Sequence, residues 1–569
     1  MTTALRSTLL SRRDLQFLLH EWLGVEDLPE YGEVLELAER IATDQFATHN
    51  READENEPHV GEDGTVQLVD GVAEALAVFH ESGMGGAGMP EEVGGMGLPS
   101  TVSMAAFAYF QAANVGTAAY PMLTTAAANL LLQHGSQEQI EKWAAPMVEG
   151  RFSGTMCLSE TQAGSSLSDI TTRAEPQDDG TYRVTGSKMW ISGGEHELAE
   201  NIVHLVLTKI PGGPAGVKGI SLMLVPRYLD GEPNGVVLAG LNHKMGYRGT
   251  VNTVLSFEGA TGYLVGEPHR GLAYMFAMMN EARVGVGLGA TALGYTGYLK
   301  SLQYARERPQ GRPIQSKDPA EPQVPIVEHA DVKRMLLAQK SYVEGALALI
   351  LYCSKLVDDG DEALLDMLTP IAKAWPAQWC LEANSLAIQI HGGYGYAREY
   401  EVEQHYRDNR LNPIHEGTNG IQGLDLLGRK VTQNGGAGLG RLAEAIGGAV
   451  ARAQADGAGG EAAEYAAELD AALQRLLQTT GALWAEGAEG VEATLANATI
   501  YLEAAGHVVI AWMWLEQLLA AAAGEGDFYD GKRAAARYFF RYELPRTSPQ
   551  FDLLATRDRT TLEMQDAWF

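Results

Sequence analysis

The feature that most constrains the fold is a change of hydrophobic pattern near Phe152 and its reversal near Leu272. From about Arg12 to Gly150 apolar residues recur at helical spacing, as in residues 68–79. Between the two changes the chain has short β-branched segments bounded by Gly, Pro or Asn, at residues 182–186, 201–209, 219–225, 236–238 and 251–257. Such spacing predicts an antiparallel β domain, a sandwich or a barrel.

Long helical segments return after Leu272. We predict them at residues 274–306, 325–358 and 362–391, with a Pro- and Gln-rich loop at 308–324, and several long helices in succession indicate an antiparallel bundle. A glycine-rich joint at 433–438 precedes an Ala-, Glu- and Leu-rich stretch at 442–523 that predicts a further helical unit.

The predicted fold class is therefore α+β and multidomain. It consists of an N-terminal helical domain, a middle antiparallel β domain, a C-terminal four-helix bundle and an extra C-terminal helical domain. The predicted boundaries are 1–60 for an N-terminal helical extension, 61–152 for the α domain, 153–270 for the β domain, 271–432 for the bundle and 440–569 for the extra domain. A chain of 569 residues is too long for one hydrophobic core.

Composition excludes some classes of function. The formal net charge of −31 argues against nucleic acid and against anionic membrane surfaces, which both attract basic proteins. The apolar stretch at 501–523 carries Glu503, His507 and Glu516, so we interpret it as a buried helix rather than a membrane span. Three scattered cysteines and a start without an apolar signal core favour a reducing compartment, and we expect a cytoplasmic protein.

A glycine-rich loop at 83–97 contains the spacing G-x-G-x-x-G at Gly83, Gly85 and Gly88. A dinucleotide-binding fingerprint requires a strand before it and a helix after it. Here a helical stretch precedes the glycines and Pro90 interrupts the helix that should come after them, so we interpret the segment as a loop.

The strongest candidate for catalysis is Glu416, in the run His415-Glu416-Gly417-Thr418. It comes after a glycine-aromatic turn at 392–396 and precedes a glycine. A carboxylate in such a setting can be poorly solvated, which raises its proton affinity and suits it to accept a proton from carbon.

The stretch from Tyr400 through Arg407-Asp408 to the run 416–422 closely resembles the C-terminal signature of acyl-CoA dehydrogenases. The order of helices, β domain, bundle and Glu-Gly-Thr step is also similar to that family over residues 60–430. The additional helical unit resembles the longer members, particularly the branch that includes 3-(methylthio)propanoyl-CoA dehydrogenase. The resemblance implies that Glu416 is the catalytic base and that FAD is the cofactor.

Two segments resemble the family's flavin-binding motifs. The first contains the cofactor-binding candidates Met156, Leu158 and Ser159, of which Leu158 and Ser159 would lie along the isoalloxazine ring. In the same segment Ser165 would contact the pyrophosphate through its hydroxyl and the turn's N–H groups. In the second, Trp190 would pack against the ring system and Ser192 would support its polar edge. A Gly-Ser turn and a strand-end Trp are each common structural features, and it is their joint occurrence that favours the flavin.

Arg283 matches a family arginine at the mouth of the active site, and with Asn280 and Gly417 it is assigned to acyl-CoA binding. Some branches take their base from the position before this arginine, which here is Ala282. Glu281 is one step removed, about 100° around a helix, so we expect it to be an exposed or capping residue.

Further cofactor contacts are implied by resemblance for Arg308, Gln389, Gly392, Gly393 and Thr418. The first four would reach FAD across a subunit interface. The aromatic residue that usually comes after Arg308 is missing, and Gly420 replaces a common Gln. His415 occupies a place where many members carry an aromatic residue; it is either a structural residue or an electrostatic neighbour of Glu416.

The expected reaction is FAD-dependent α,β-dehydrogenation of an acyl-CoA thioester to a trans-2-enoyl-CoA, with no metal ion. The substrate stays open among 3-(methylthio)propanoyl-CoA and short, medium or long linear acyl chains. Alternatives are an acyl-CoA oxidase that uses dioxygen and a flavin-holding, DNA-associated member of the superfamily. The resemblance also implies an electron-transfer flavoprotein as acceptor and a homodimer or homotetramer.

Overall fold

The computed structural model describes residues 8–316, 318–455, 460–485 and 490–569, apart from the side chain of Ala277. The chain divides into two compact units. One is Pro29–Gly285, and the other combines Met1–Leu28 with Val286–Phe569. The start of the chain is therefore grouped with its C-terminal half.

The unit Pro29–Gly285 begins with helices. Asn114 caps the longest of them, because its side-chain oxygen accepts a hydrogen bond from Thr117 N at 3.0 Å. The helices are α1 (Pro29–Ile41), α2 (Asn50–Glu55), α3 (Asp70–Glu81), α4 (Ser100–Ala113) and α5 (Val115–His134). The glycine-rich segment after α3 forms short 3₁₀ turns, with Gly83 and Gly94 in the left-handed region. The prediction of a loop there is confirmed.

Seven strands then form a single sheet. They are β1 (Phe152–Cys157), β2 (Arg173–Pro176), β3 (Tyr182–Ser192), β4 (Asn201–Lys209), β5 (Ile220–Pro226), β6 (Val236–Leu241) and β7 (Asn252–Leu264). The pairs β3–β7, β7–β5, β5–β4, β4–β2 and β2–β3 close a circuit, so the sheet is a small barrel. β1 and β2 run parallel to β4, which the prediction of a purely antiparallel domain did not include.

The central strand β4 is buried on both faces. Val203, Leu205 and Leu207 join a hydrophobic cluster with residues of α5 and the region 275–282. Val206 points to the opposite face and packs with Val184, Leu255 and others inside the barrel. This alternation is the period of two of an extended chain, and burial of both faces explains why the segment is a continuous apolar run.

The second unit is helical. Its first helix, α6 (Gly271–Glu307), starts in the other unit and enters this one at Val286. The others are the short helix Arg12–Gln16 near the start of the chain, α7 (Ala330–Asp359), α8 (Glu362–His391), α9 (Val402–Asn409), α10 (Asn419–Asp425), α11 (Ala437–Gln454), α12 (Glu461–Leu483), α13 (Val491–Leu495), α14 (Ala498–Ala520), α15 (Asp527–Tyr538) and α16 (Thr547–Ala555). The predicted helix 362–391 is confirmed at both ends.

Helices α6 and α8 approach each other through glycines of α6. A Cβ on Gly287 would lie 2.1 Å from Ala372 O, one on Gly294 would lie 2.7 Å from Cys380 Cβ, and one on Gly297 would lie 2.5 Å from Asn384 Nδ2. These distances are shorter than van der Waals contact, so each position requires glycine. We call Gly287, Gly294 and Gly297 the glycine seam.

Helix α14 is long and apolar enough to be compared with a membrane span. In the protein 83% of its most apolar window is buried, against helices such as α12 and α8. The interpretation of this segment as a buried helix is confirmed.

A buried ion cluster joins the helix Arg12–Gln16 to α7 and α15. The Lys532 ammonium lies 2.9 Å from Glu344 Oε2 and 2.8 Å from Gln517 Oε1, and it also pairs with Asp14. The side chains of Lys532, Asp14 and Glu344 are at most 3% exposed. Charges so poorly solvated are stable only while each has its partners.

Replacing Lys532 by Met should therefore leave two carboxylates buried without their shared cation. We expect a loss of about 3–5 kcal/mol in unfolding free energy, measured as a fall of the thermal midpoint. The matched control is Lys333→Met, which removes a pair with Glu328 at 3.6 Å whose partners are more than half exposed. Equal midpoints for the two variants would contradict a stabilising role for the cluster.

Candidate functional site

The first predicted flavin segment continues directly from the end of β1. Met156 is buried in the strand, while Leu158 and Ser159 are half-buried just beyond it. The next turn is closed by mutual hydrogen bonds of Glu160 and Ala163 at 2.9 and 3.0 Å, and Gly164 and Ser165 are exposed directly after it. The turn can therefore present a hydroxyl and backbone N–H groups to an anion.

A buried ion pair connects this turn to the second segment. Lys188 Nζ lies 3.0 Å from Glu160 Oε1 and donates to Leu158 O at 2.9 Å. The two side chains are 0% and 3% exposed. Met189 N also donates to Ser159 O at 2.9 Å, so the two predicted flavin segments are held side by side.

The Glu160 carboxylate is fully satisfied by donors. Thr171 and Thr172 each donate a backbone N–H and a hydroxyl to it, at 2.6–2.9 Å. Burial alone would raise the pKa of Glu160, but the Lys188 ammonium and these hydrogen bonds outweigh burial and lower the pKa to about 2. Glu160 is therefore ionised at neutral pH, while burial lowers the pKa of Lys188 and the Glu160 charge opposes that effect.

Trp190 is a bulged residue of β3. The pairing of β3 with β7 passes from Ile191 opposite Thr253 to Met189 opposite Val254, which leaves Trp190 without an opposite residue. Its φ is 64° and its indole is 56% exposed within a rigid strand. A bulge re-aims a side chain, so the tryptophan is directed outward instead of into the core.

These residues fit a flavin. An exposed indole on a fixed strand offers a face to a planar ring system, and the exposed Gly164-Ser165 turn offers donors to a pyrophosphate. Ser192, half-buried two residues after Trp190, has its hydroxyl held by Asn252 Nδ2 at 3.0 Å. The chemistry of this set agrees with the roles that the family resemblance implies.

Two of the predicted acyl-CoA residues, Asn280 and Arg283, lie close together on α6. Arg283 is 3% exposed, and its Nη1 lies 3.4 Å from Asn280 Oδ1. The prediction that Glu281 is exposed or capping is wrong, because it is half-buried and accepts a hydrogen bond from Asn129 Nδ2 at 2.8 Å. Burial raises the pKa of Glu281, opposed by this bond. The sequence showed no pairing between these two distant residues.

Glu416 lies on a tight loop in the second unit, between α9 and α10. It is half-buried and has φ 53°, a left-handed conformation that is uncommon for a residue with a side chain. Gly417 is next with φ 85°, where a Cβ would lie 2.5 Å from Gln422 Nε2. Gln422 Nε2 is 3.2 Å from both Glu416 O and Gly417 O, so it holds the two carbonyls from one side.

Thr418 closes the same loop. It is the N-cap of α10, and its hydroxyl oxygen accepts from Ile421 N at 3.3 Å. On the other side of Glu416, His415 Nε2 lies 3.0 Å from Asn412 Oδ1. Burial and the Lys373 charge lower the pKa of His415 to about 3, so its imidazole is neutral.

Arg308 and the end of α8 come together elsewhere in the second unit. The Arg308 guanidinium lies 5.7 Å from the Tyr394 ring centroid, in the turn that begins at Gly392. Gln389, Gly392 and Gly393 are exposed there, and Gly392 ends α8 with φ 62°. These three exposed residues and the half-buried Arg308 thus form one patch at the end of α8. Among the described residues no group of three or more His, Cys, Asp or Glu side chains could hold a metal ion.

Family models match nearly the whole chain. The N-terminal, middle and C-terminal domains of acyl-CoA dehydrogenase match residues 29–151, 155–260 and 269–431. A fourth model, described as acetyl-CoA dehydrogenase C-terminal like, matches residues 442–565.

Individual relatives match over almost their full length. The 3-methylmercaptopropionyl-CoA dehydrogenase of Ruegeria pomeroyi is 37% identical and covers 95% of this chain and 96% of its own. A broad-specificity linear acyl-CoA dehydrogenase, FadE5 of Mycobacterium tuberculosis, is 32% identical over 98% and 99%. The structure of an acyl-CoA dehydrogenase complexed with FAD from Bacillus anthracis has a TM-score of 0.78 at 20% identity, over 97% of this chain and 93% of that one.

The chain belongs to the acyl-CoA dehydrogenase family, whose members are FAD-dependent oxidoreductases. Within it, this protein has the long form with the extra C-terminal domain, and it is similar to the 3-methylmercaptopropionyl-CoA dehydrogenase branch. The predicted family, fold class and cofactor are confirmed.

Sequence reasoning missed several residues that shape the site. Glu160 comes directly after Ser159, and Lys188 comes two residues before Trp190. Their opposite charges in two otherwise apolar segments could have indicated an ion pair. Asn412 and Gln422 gave no such signal, because isolated amides are common in loops.

Glu160→Gln should weaken FAD retention, because it leaves Lys188 buried beside a neutral partner. Removing one member of a buried pair costs about 3–5 kcal/mol, and here it also loosens Leu158 and Ser159. The measurement is the flavin-to-protein absorbance ratio after gel filtration, together with the thermal midpoint. Because the pKa of Glu160 is lowered from 4.5 to about 2, its ionisation stabilises the folded protein fully above pH 4.5, and the difference between the two proteins should shrink as the pH falls toward 2.

The control for this comparison is Glu175→Gln, which removes an exposed pair with Arg173 at 3.2 Å. It should keep its flavin and its midpoint. If Glu160→Gln behaves like this control, the pair does not position the flavin segments.

Proposed function

We propose that this protein catalyses α,β-dehydrogenation of an acyl-CoA thioester, with Glu416 as the base. The observation that carries the assignment is the loop conformation of Glu416. A non-glycine residue with φ 53° is held by hydrogen bonds on both sides, at Gln422 and through the neighbouring His415. Backbone strain of this kind costs about 1–3 kcal/mol and persists where the surroundings hold a functional side chain in place.

The chemistry requires a base at the carbon next to the thioester carbonyl. That hydrogen is weakly acidic, so a carboxylate must be positioned against it and shielded from water. Glu416 accepts the α-proton and becomes a carboxylic acid. Bound FAD supplies the acceptor for the β-hydrogen, which leaves as a hydride. The thioester thereby loses two hydrogens and becomes a trans-2-enoyl-CoA.

The remaining predicted residues bind and orient. Trp190, Ser159, Ser165 and Ser192 would hold FAD, with the Glu160–Lys188 pair behind them. Arg283, braced by Asn280, supplies a buried cation near the N-terminal part of α6, which is suited to order an anionic ligand or a neighbouring loop. Gly417 allows the backbone beside Glu416 to approach a ligand closely.

For the substrate we propose a short linear acyl-CoA that includes 3-methylmercaptopropionyl-CoA. The 37% identity to the Ruegeria pomeroyi enzyme over 95% of this chain supports this choice. The similarity to a broad-specificity linear enzyme supports tolerance of other linear chains.

Glu416→Gln should abolish flavin reduction while leaving FAD and ligand binding intact. An amide keeps the shape of the side chain but cannot accept the proton, and loss of a general base commonly costs about 10²–10⁴-fold in rate. The measurement is anaerobic stopped-flow bleaching of the visible flavin band by butyryl-CoA.

Two further carboxylates make this test specific. Glu399 is exposed in the segment that joins α8 to α9, and Glu399→Gln should reduce its flavin at the wild-type rate. Glu281 is the rival candidate, since it is half-buried in α6. A near wild-type rate in Glu416→Gln, with the loss found instead in Glu281→Gln, would overturn the assignment of the base.

A substrate panel tests the proposed acyl group. 3-Methylmercaptopropionyl-CoA and pentanoyl-CoA differ only by sulfur in place of one methylene. Because an apolar pocket discriminates weakly between groups that differ so little, we expect the two bleaching rates to agree within about 10-fold. Palmitoyl-CoA and isobutyryl-CoA should be slower. Fastest reduction by either of these two would contradict the short linear assignment.

We further propose a homodimer or homotetramer in the cytoplasm that passes electrons to an electron-transfer flavoprotein. Family membership supports this acceptor. The patch formed by half-buried Arg308 and by the exposed residues Gln389, Gly392 and Gly393 supports an oligomer whose partner subunit completes the FAD site. Three buried, free cysteines support a reducing compartment.

A further inference from the structure

Behind the Glu416 loop stands a row of buried side-chain amides. Asn384 on α8, Asn409 at the end of α9 and Asn412 in the loop after it are each 0% exposed. Their links are Asn409 Nδ2 to Asn384 Oδ1 at 2.7 Å and Asn412 Nδ2 to Asn409 Oδ1 at 2.9 Å. We call Asn384, Asn409 and Asn412 the amide ladder.

The ladder is anchored on the backbone of α6. Asn384 Nδ2 donates to Leu293 O at 2.9 Å, and Asn409 Nδ2 also donates to Ala290 O at 3.1 Å. The glycine seam brings α6 close enough for this contact, since Gly297 lies directly against Asn384. The hydrogen bonds of the amide ladder therefore start from backbone carbonyl oxygens inside a packed helix.

The direction of every hydrogen bond in the ladder is set by its anchor. A backbone carbonyl only accepts, so Asn384 turns its NH₂ to Leu293 and its oxygen to Asn409, and the same order repeats up to Asn412. Asn412 therefore presents its Oδ1 to His415, whose Nε2 lies 3.0 Å away. That nitrogen must carry a hydrogen, which fixes the tautomer of the ring.

The charge of a nearby lysine disfavours protonation of the His415 imidazole. The buried Lys373 ammonium donates to Asn412 O at 2.6 Å, and its charge opposes a second one nearby. An imidazolium adjacent to Glu416 would stabilise the carboxylate anion and weaken it as a base. A neutral ring orients the loop without that penalty.

We propose that His415 is a positioning residue for Glu416: as a neutral Nε2–H donor at the end of the amide ladder, it holds the base in its left-handed conformation. The inference deepens the proposed dehydrogenation and rests on it for its kinetic consequence. Gln422 holds the loop from the other side through the carbonyls of Glu416 and Gly417.

Two substitutions of the same residue test the role of the donor. The side-chain nitrogen of Gln can occupy nearly the place of histidine Nε2, whereas Leu fills the space without a donor. We expect His415→Leu to reduce its flavin about 10- to 100-fold more slowly, because a small misplacement of a reacting group has effects of this size. His415→Gln should recover most of the rate.

Binding measurements separate positioning from general damage. The flavin content and the affinity for a trans-2-enoyl-CoA product, read from the perturbed flavin spectrum, should stay near wild type in both variants. Equal rates for His415→Leu and wild type, or a Gln variant as slow as the Leu variant at the same thermal midpoint, would overturn the proposal.

Asn412→Asp gives an independent readout. It places a carboxylate at His415 Nε2, which should raise the pKa of the ring and add an ionisation to the pH profile of flavin reduction. The double variant Asn412→Asp/His415→Gln should lose that ionisation. A profile that is the same in the single and double variants would contradict an influence of His415 on the base.

The wild-type protein distinguishes a failure of this proposal from a failure of the proposed function. If no acyl-CoA bleaches the wild-type flavin, the dehydrogenase assignment fails, and crystal structures of the two His415 variants decide the positioning claim. Glu416 should leave the left-handed region in His415→Leu and keep it in His415→Gln. An unchanged Glu416 φ in the Leu variant would overturn the claim.

Discussion

The close contact of α6 with α8 is the constraint on which the candidate site depends. Gly287, Gly294 and Gly297 remove the side chains that would keep these helices apart, so Asn384 reaches the α6 backbone. From there a directed series of hydrogen bonds leads to the loop of Glu416. The conformation of the carboxylate that we propose as the base is thus tied to the packing of two long helices, and its strain is held by a close-packed core.

The two predicted flavin segments are held together by a buried ion pair, whereas the side chains of the amide ladder, which lead to the Glu416 loop, are neutral. Glu160 and Lys188 fix the segments on either side of the predicted ring site, and their full charges are tolerated because every donor and acceptor is satisfied. The buried Lys373 ammonium already binds Asn412 O, and an imidazolium next to Glu416 in the chain would add a second positive charge that weakens the carboxylate as a base. A neutral His415 avoids that effect, so the choice of residue beside Glu416 agrees with the chemistry of proton abstraction.

Much of this could be predicted from the sequence. Local pattern placed β4 and α8 at their observed bounds. The family resemblance singled out Glu416 and the two flavin segments as candidates, and their roles stay predictions. The strand β1 was missed because its partner β4 is distant and parallel, which no local pattern records. Three features depend on pairings between residues that are distant in the chain: the bulge that exposes Trp190, the burial of Glu281 and the amide ladder. The sequence does not show which polar side chains will become hydrogen-bond partners.

The most direct test of the central claim is a crystal structure of the FAD-loaded protein with a bound, unreactive acyl-CoA analogue. The distance to determine joins the nearest oxygen of the Glu416 carboxylate to the α-carbon of the thioester. We predict about 3–3.5 Å, the separation of groups poised to react, with Glu416 still at a positive φ. A Glu416 side chain turned away from that carbon, with another carboxylate such as Glu281 in its place, would contradict the assignment.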